Sequence, residues 1–149
     1  MVLLRENEGQ GRLLPIYIGT PEAQAIIQAM KGLPTARPYT HDLMRDLLVT
    51  LGATLERVVV TDLRDGIYFA EMHLLVGTRL HEISCRPSDA IAIAARTDAP
   101  IFMAERLLDK DGIIPRMLTV EGEDEEEEEE LVDEFRHFIE GIRPEDFSS

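Results

Sequence analysis

At 149 residues with 44% hydrophobic side chains, the chain is long enough for one domain with a substantial core and too short for two large ones. No apolar run approaches the roughly 20 residues of a membrane helix, and no basic, apolar and small-residue leader pattern follows Met1, so a soluble cytoplasmic protein with no membrane partner is expected. The formal charge of −14 is unevenly spread: residues 121–149 hold 14 acidic and 2 basic side chains, against 15 and 13 in residues 1–120, which separates a near-neutral domain (1–120) from an acidic tail (121–149).

In chain order, VLLRE and LLPIYIG flank the polar, glycine-containing ENEGQGR and predict a hairpin of two short strands. TPEAQAIIQAMKG predicts a helix with Thr20 as N-cap, Pro21 at its first position, Glu22 in the first turn, Ile26, Ile27 and Met30 as the buried stripe, and Gly32 as the stop. THDLMRDLLVTLG predicts a second helix, with Thr40 as N-cap, Asp42 in the first turn, Leu43, Leu47, Leu48 and Leu51 on one face, and Gly52 after it. The β-branched run LERVVVTDL, the Asp65-Gly66 turn, IYFAEMHLLV, the Gly77-Thr78 turn and LHEISC predict a three-stranded antiparallel meander over residues 55–85. A third helix over 87–97 and a short buried strand, PIFMA, follow. This order lacks the regular alternation of a doubly wound fold, so an α+β domain is expected, with helices packed on one side of a mostly antiparallel sheet. Cys85, the single cysteine, reads as a small buried side chain.

In the tail, EGEDEEEEEE repels itself and predicts a solvated linker, either a plain spacer or an electrostatic mimic that attracts a basic protein. Leu131, Phe135, Phe138, Ile139 and Ile142 recur at helical spacing and predict a short amphipathic helix ended by Gly141 and Pro144.

Two helices open in the same way, with RPYTHDL at Arg37 and RPSDAIAIAAR at Arg86. Capping accounts for the proline, the Ser or Thr hydroxyl and the aspartate. It does not account for arginine, because a cation at a helix N-terminus opposes the helix dipole. Arg37 and Arg86 therefore require a partner, either a carboxylate such as Glu22, Asp42 or Asp89 or an anionic ligand.

LPIYIG followed by Glu22-Ala23, RPYTHDL, the meander with Asp65-Gly66, RPSDAIAIAAR and PIFMAE ending in Glu105 together resemble the bifunctional nuclease domain family, over roughly residues 2–108, and the acidic tail resembles bacterial members. The resemblance implies DNase and RNase activity and self-association into a homo-oligomer. Relatives carry a further strand before the segment matching VLLRE, so an open sheet edge is expected here.

Phosphodiester hydrolysis needs a group to deprotonate water and groups to stabilise charge on phosphoryl oxygens, often with a divalent metal. His41, Asp42, Arg86 and Asp89 are the candidate catalytic residues. Arg37, Thr40, Arg86 and Ser88 are the candidates for gripping substrate, and Glu22, Asp42, Asp89 and Glu105 those for holding Mg²⁺ or Mn²⁺. Thr40, Ser88, Asp42 and Asp89 also read simply as capping residues. No HExxH, phosphate-binding glycine loop or CxxC pair is present, which leaves zinc and nucleoside-triphosphate chemistry without support. Aromatics make up only 5% of the chain and no basic run occurs, so contact with nucleic acid is expected to be weak. The alternative is a non-catalytic regulatory or scaffold module acting through self-association and its acidic tail.

Overall fold

The computed structural model describes residues 1–32 and 36–114. Its elements are β1 (Val2–Arg5), β2 (Leu13–Ile16), α1 (Thr20–Lys31), α2 (Thr40–Thr50), β3 (Ala53–Arg64), β4 (Ile67–Val76), β5 (Arg79–Cys85), α3 (Pro87–Thr97), β6 (Ile101–Met103) and α4 (Glu105–Asp111). The acidic linker and amphipathic helix expected after residue 120 lie outside the described residues. Among those residues, no helix is long and apolar enough to cross a membrane.

β1 and β2 form an antiparallel hairpin, and the larger sheet has the order β5-β4-β3-β6. β3 pairs antiparallel with β4, and β4 with β5, whereas β6 lies parallel to β3. The β3–β4 turn carries positive φ at both Asp65 (51°) and Gly66 (77°), the primed-turn geometry that suits the twist of a hairpin. Register places Val58, Val60, Ala70, Met72 and Leu74 on one sheet face, and the helices cover that face.

α3 is the central helix, which explains why RPSDAIAIAAR is so apolar. Ala90, Ile93 and Ala94 pack on Leu55, Val58, Ala70, Met72 and Leu74 of the sheet. Ile91 and Ala92 face the other way, onto Ile26 of α1. A helix enclosed by neighbours has no polar face to display, and its alanines let those neighbours approach closely. The β1–β2 hairpin and α4 close a further part of the core, where Leu14, Ile16, Leu107 and Leu108 surround Val60. Arg12 ties these two elements together: its Nε and Nη2 donate to Glu6 at 3.0 and 2.7 Å, and its Nη1 donates to Asp109 at 2.6 Å.

Several local expectations are corrected. The residues before the first turns of α1 and α2 are Gly19 and Tyr39, so Thr20 and Thr40 open the helices instead of capping them. Only Ile26 of the α1 stripe is buried, and Met30 is 76% exposed. α2 buries none of its residues, and Leu48 alone packs against the core while Leu43, Leu47 and Leu51 are exposed. β6 is an edge strand whose Phe102 is exposed, not a buried one. Cys85 is half-buried, its thiol pushed up to about 11 first by burial and then by the charge of Asp89. α4, only seven residues long, has no counterpart among the predicted elements.

Candidate active site

Three helix N-termini converge within one chain. α1 begins at the Gly19-Thr20-Pro21 turn and carries Glu22 in its first turn, α2 begins after Tyr39 and carries His41, and α3 begins after Arg86 and carries Asp89. Proline at the start of α1 and α3 fixes φ where no amide donor is required. Arg86 itself occupies the extended residue before α3, with φ −71° and ψ 143°, so its side chain is free to turn back over the first turn.

Arg86 forks onto Asp89, with Nε donating to Oδ2 at 2.7 Å and Nη2 donating to Oδ1 at 2.9 Å, while Nη1 donates to Glu22 Oε1 at 3.1 Å. Asp89 Oδ1 lies 3.2 Å from His41 Nε2. The four side chains thus form a line, Glu22–Arg86–Asp89–His41, in which Asp89 joins a cation to an imidazole. The Asp89 carboxyl is held below the usual carboxylate range first by Arg86 and, beyond the opposing effect of burial, by His41. The Arg86 guanidinium is correspondingly held in its charged form. Of its five N–H groups three are used, which leaves two for a ligand. The Arg86 side chain is 65% exposed and faces solvent with them.

This line divides two clefts. One, of about 300 Å³, is lined by Gln28, Tyr39, Thr40 and His41. The other, of about 310 Å³, is lined by Tyr17, Gly19, Ile67, Tyr68 and Ser88. Glu22 and Arg86 belong to both walls.

Of the remaining sequence candidates, Thr40 and Ser88 line the two clefts, while Asp42, Arg37 and Glu105 lie apart from the line. Asp42 points the other way: Arg96 Nε donates to its Oδ1 at 2.5 Å, and its Oδ2 accepts the Tyr39 amide at 2.9 Å. Its carboxyl is lowered chiefly by Arg96. Arg37 is exposed and makes no ion pair among the described residues, and Glu105 opens α4 and lines neither cleft. The carboxylates Glu22, Asp42, Asp89 and Glu105 therefore do not form one donor set, since Arg86 holds two, Arg96 holds a third and the fourth is elsewhere. Among the described residues no group of three or more His, Cys, Asp or Glu side chains is arranged to hold a metal ion. These carboxylates do not fit Mg²⁺ or Mn²⁺ in this arrangement.

Two positioning residues escaped sequence reasoning. The Arg96 side chain is 4% exposed and pins the helices together, donating from Nη1 to Ala25 O of α1 at 2.9 Å and to Ala92 O of α3 at 2.8 Å while its Nε reaches Asp42 of α2. A lone arginine at the end of a helix gives no sign of that burial. Gly19 has a negative φ but lies under Glu22, where an added Cβ would come within 2.5 Å of Oε2. The only hint in the sequence is a glycine directly before TPE.

A family model for the bifunctional nuclease domain matches residues 2–116, the whole of the region that holds this site. An uncharacterized protein of Mycobacterium tuberculosis is 38% identical over all of this chain and 88% of its own length. Bifunctional nuclease 2 and Bifunctional nuclease 1 of Arabidopsis thaliana are 34% and 32% identical over 115 residues, which cover 75% of this chain and 35% of each plant protein. The geometry and the sequence matches coincide on the same segment, and the chain belongs to the bifunctional nuclease domain family.

Proposed function

We propose that the chain hydrolyses phosphodiester bonds of DNA and RNA at the Glu22–Arg86–Asp89–His41 line. The observation that carries this reading is the single carboxylate, Asp89, shared between an exposed guanidinium with unused donors and a histidine at a cleft wall. Donation from Nε2–H to Asp89 leaves Nδ1 as the basic atom of His41. In this mechanism Nδ1 takes a proton from water as the water oxygen bonds to phosphorus. The bond from phosphorus to the leaving oxygen breaks, and that oxygen takes up the proton. Arg86 uses its two remaining N–H groups on the non-bridging oxygens, where negative charge grows. Glu22 and Asp89 hold the guanidinium in place, and their charge limits the attraction of the site for a polyanion. This accords with weak binding, since a near-neutral domain offers few phosphate contacts.

Cleavage of end-labelled DNA and RNA, single-stranded and duplex, by wild type, His41→Ala and Arg86→Ala tests the reading. Both variants are expected to lose at least a hundredfold in rate, the lower range for a general base or an oxyanion donor. Cleavage that persists in EDTA supports the arginine and histidine chemistry, whereas dependence on Mg²⁺ or Mn²⁺ would move it to a rearranged carboxylate set. Unchanged rates in either variant would remove that residue from the mechanism.

A second reading is a scaffold module that self-associates, with the acidic tail recruiting a basic partner. It is favoured by α2, which presents Leu43 and Leu47 to solvent, with Leu51 exposed just past the helix end. Self-association and catalysis are compatible, and sedimentation of the intact chain separates the two questions.

A further inference from the structure

We infer that the cleft bounded by Tyr17, Ile67 and Tyr68 is a subsite for one unstacked nucleobase, a substrate contact that rests on the nuclease reading above. Tyr17 stands just past the end of β2 and is 84% exposed, so its ring contributes little to the core. Ile67 is brought opposite by the tight Asp65-Gly66 turn and is also exposed. Tyr68 lies deeper and packs against the core around Val60, which makes it a fixed surface beneath two exposed rim side chains. Flat apolar walls of this kind suit the face of a base, whatever its identity.

The cleft also has polar features. Ser88 is buried as a residue yet lines the cleft, and its hydroxyl makes no side-chain hydrogen bond among the described residues. It is available as a donor or acceptor for a base edge. Arg86 lines the same cleft, so a phosphate bound by its unused N–H groups lies beside the nucleotide whose base enters. A base inside a duplex would first have to leave its stack and its partner, at considerable cost. A single strand meets this requirement with little penalty. Tyr39 is exposed on the rim of the other cleft, so a tyrosine stands on either side of Arg86.

The test is a binding cycle with the full chain, read by stopped-flow fluorescence anisotropy in the first moments after mixing and before the strand is cleaved, using a labelled single-stranded oligonucleotide and a set of derivatives that each lack one base. Wild type is expected to lose about tenfold in affinity when the base that fills the cleft is missing, the scale of one base stacked on an aromatic ring. Tyr17→Ala, an exposed position whose folding is checked by thermal melting, is expected to bind the intact strand about tenfold more weakly and to show no further loss at that abasic position. An equal abasic penalty in both proteins, or no abasic position that matters in wild type, would overturn the subsite. Cleavage assays on the same strands distinguish the two failures. Cleavage with an equal abasic penalty overturns the subsite alone, whereas absence of both binding and cleavage by wild type overturns the nuclease reading with it.

Discussion

Acid–base pairs between arginine and carboxylate recur through this small domain, and their pKa shifts have a consequence for acid stability. The Arg12 guanidinium lowers the Glu6 carboxyl from 4.5 to about 2, and Asp42, Asp62 and Asp89 are shifted in the same direction by Arg96, Arg64 and Arg86. A carboxyl with a lowered folded-state pKa contributes stability above its unfolded value, and loses that contribution as pH falls through the folded one. Glu6→Gln is therefore expected to be less stable than wild type at pH 7, with the difference shrinking between pH 4.5 and 2, as read from denaturant midpoints across that range. Residual acid sensitivity in the variant would come from the three aspartates. At this scale the sequence was legible wherever a residue broke a local rule. Arginine before a helix demanded a partner: Arg86 has two carboxylates, whereas Arg37, two residues ahead of Tyr39, makes no ion pair among the described residues. It was silent on Arg96, because an arginine near a helix C-terminus fits the helix dipole and prompts no question. It was equally silent on Tyr17, because one aromatic at a strand end is unremarkable until its neighbours are known.

The helices differ sharply in what packing requires of them. Ile93 of α3 is fully enclosed, and Ile93→Ala is expected to cost about 2–5 kcal/mol through lost burial and a residual cavity. Leu47 of α2 is half exposed, so Leu47→Ala should change the stability of the isolated domain by about 0.5 kcal/mol or less. Denaturant unfolding compares the two directly. If sedimentation velocity shows that Leu47→Ala also dissociates an oligomer, the exposed face of α2 is an interface. The sequence located both helices to within a residue, since periodicity and the proline and aspartate of the first turn act locally, although Thr40 opens α2 instead of capping it and α3 stops at Asp98, not at a glycine. It placed Ile27 and Met30 on a buried stripe, and Leu43, Leu47 and Leu51 on one face of α2, because periodicity reports that a stripe exists, without reporting whether the same chain supplies a partner for it. The parallel pairing of β6 with β3 was likewise outside local reach.

Across the whole molecule, the site draws on segments that lie far apart in sequence, with Glu22 and His41 from the first third and Arg86 and Asp89 from a helix that follows the meander. That arrangement also orders events in time. β3, β4 and β5 follow one another through tight turns, so their pairing closes short loops, whereas β6 reaches β3 only after α3 has crossed the sheet. Short closures are favoured early, and parallel pairing over a long connection is favoured late. In stopped-flow refolding, Ala70→Gly in β4 is expected to slow folding, while Ile101→Ala in β6 mainly speeds unfolding. The reverse pattern would place the nucleus elsewhere. Arg86 is attached directly to the end of β5, and therefore travels with the early meander, while Glu22 and His41 arrive with their own helices. The line that joins them is complete only when the chain is fully folded, so a partly folded chain carries the arginine without the histidine aligned beside it.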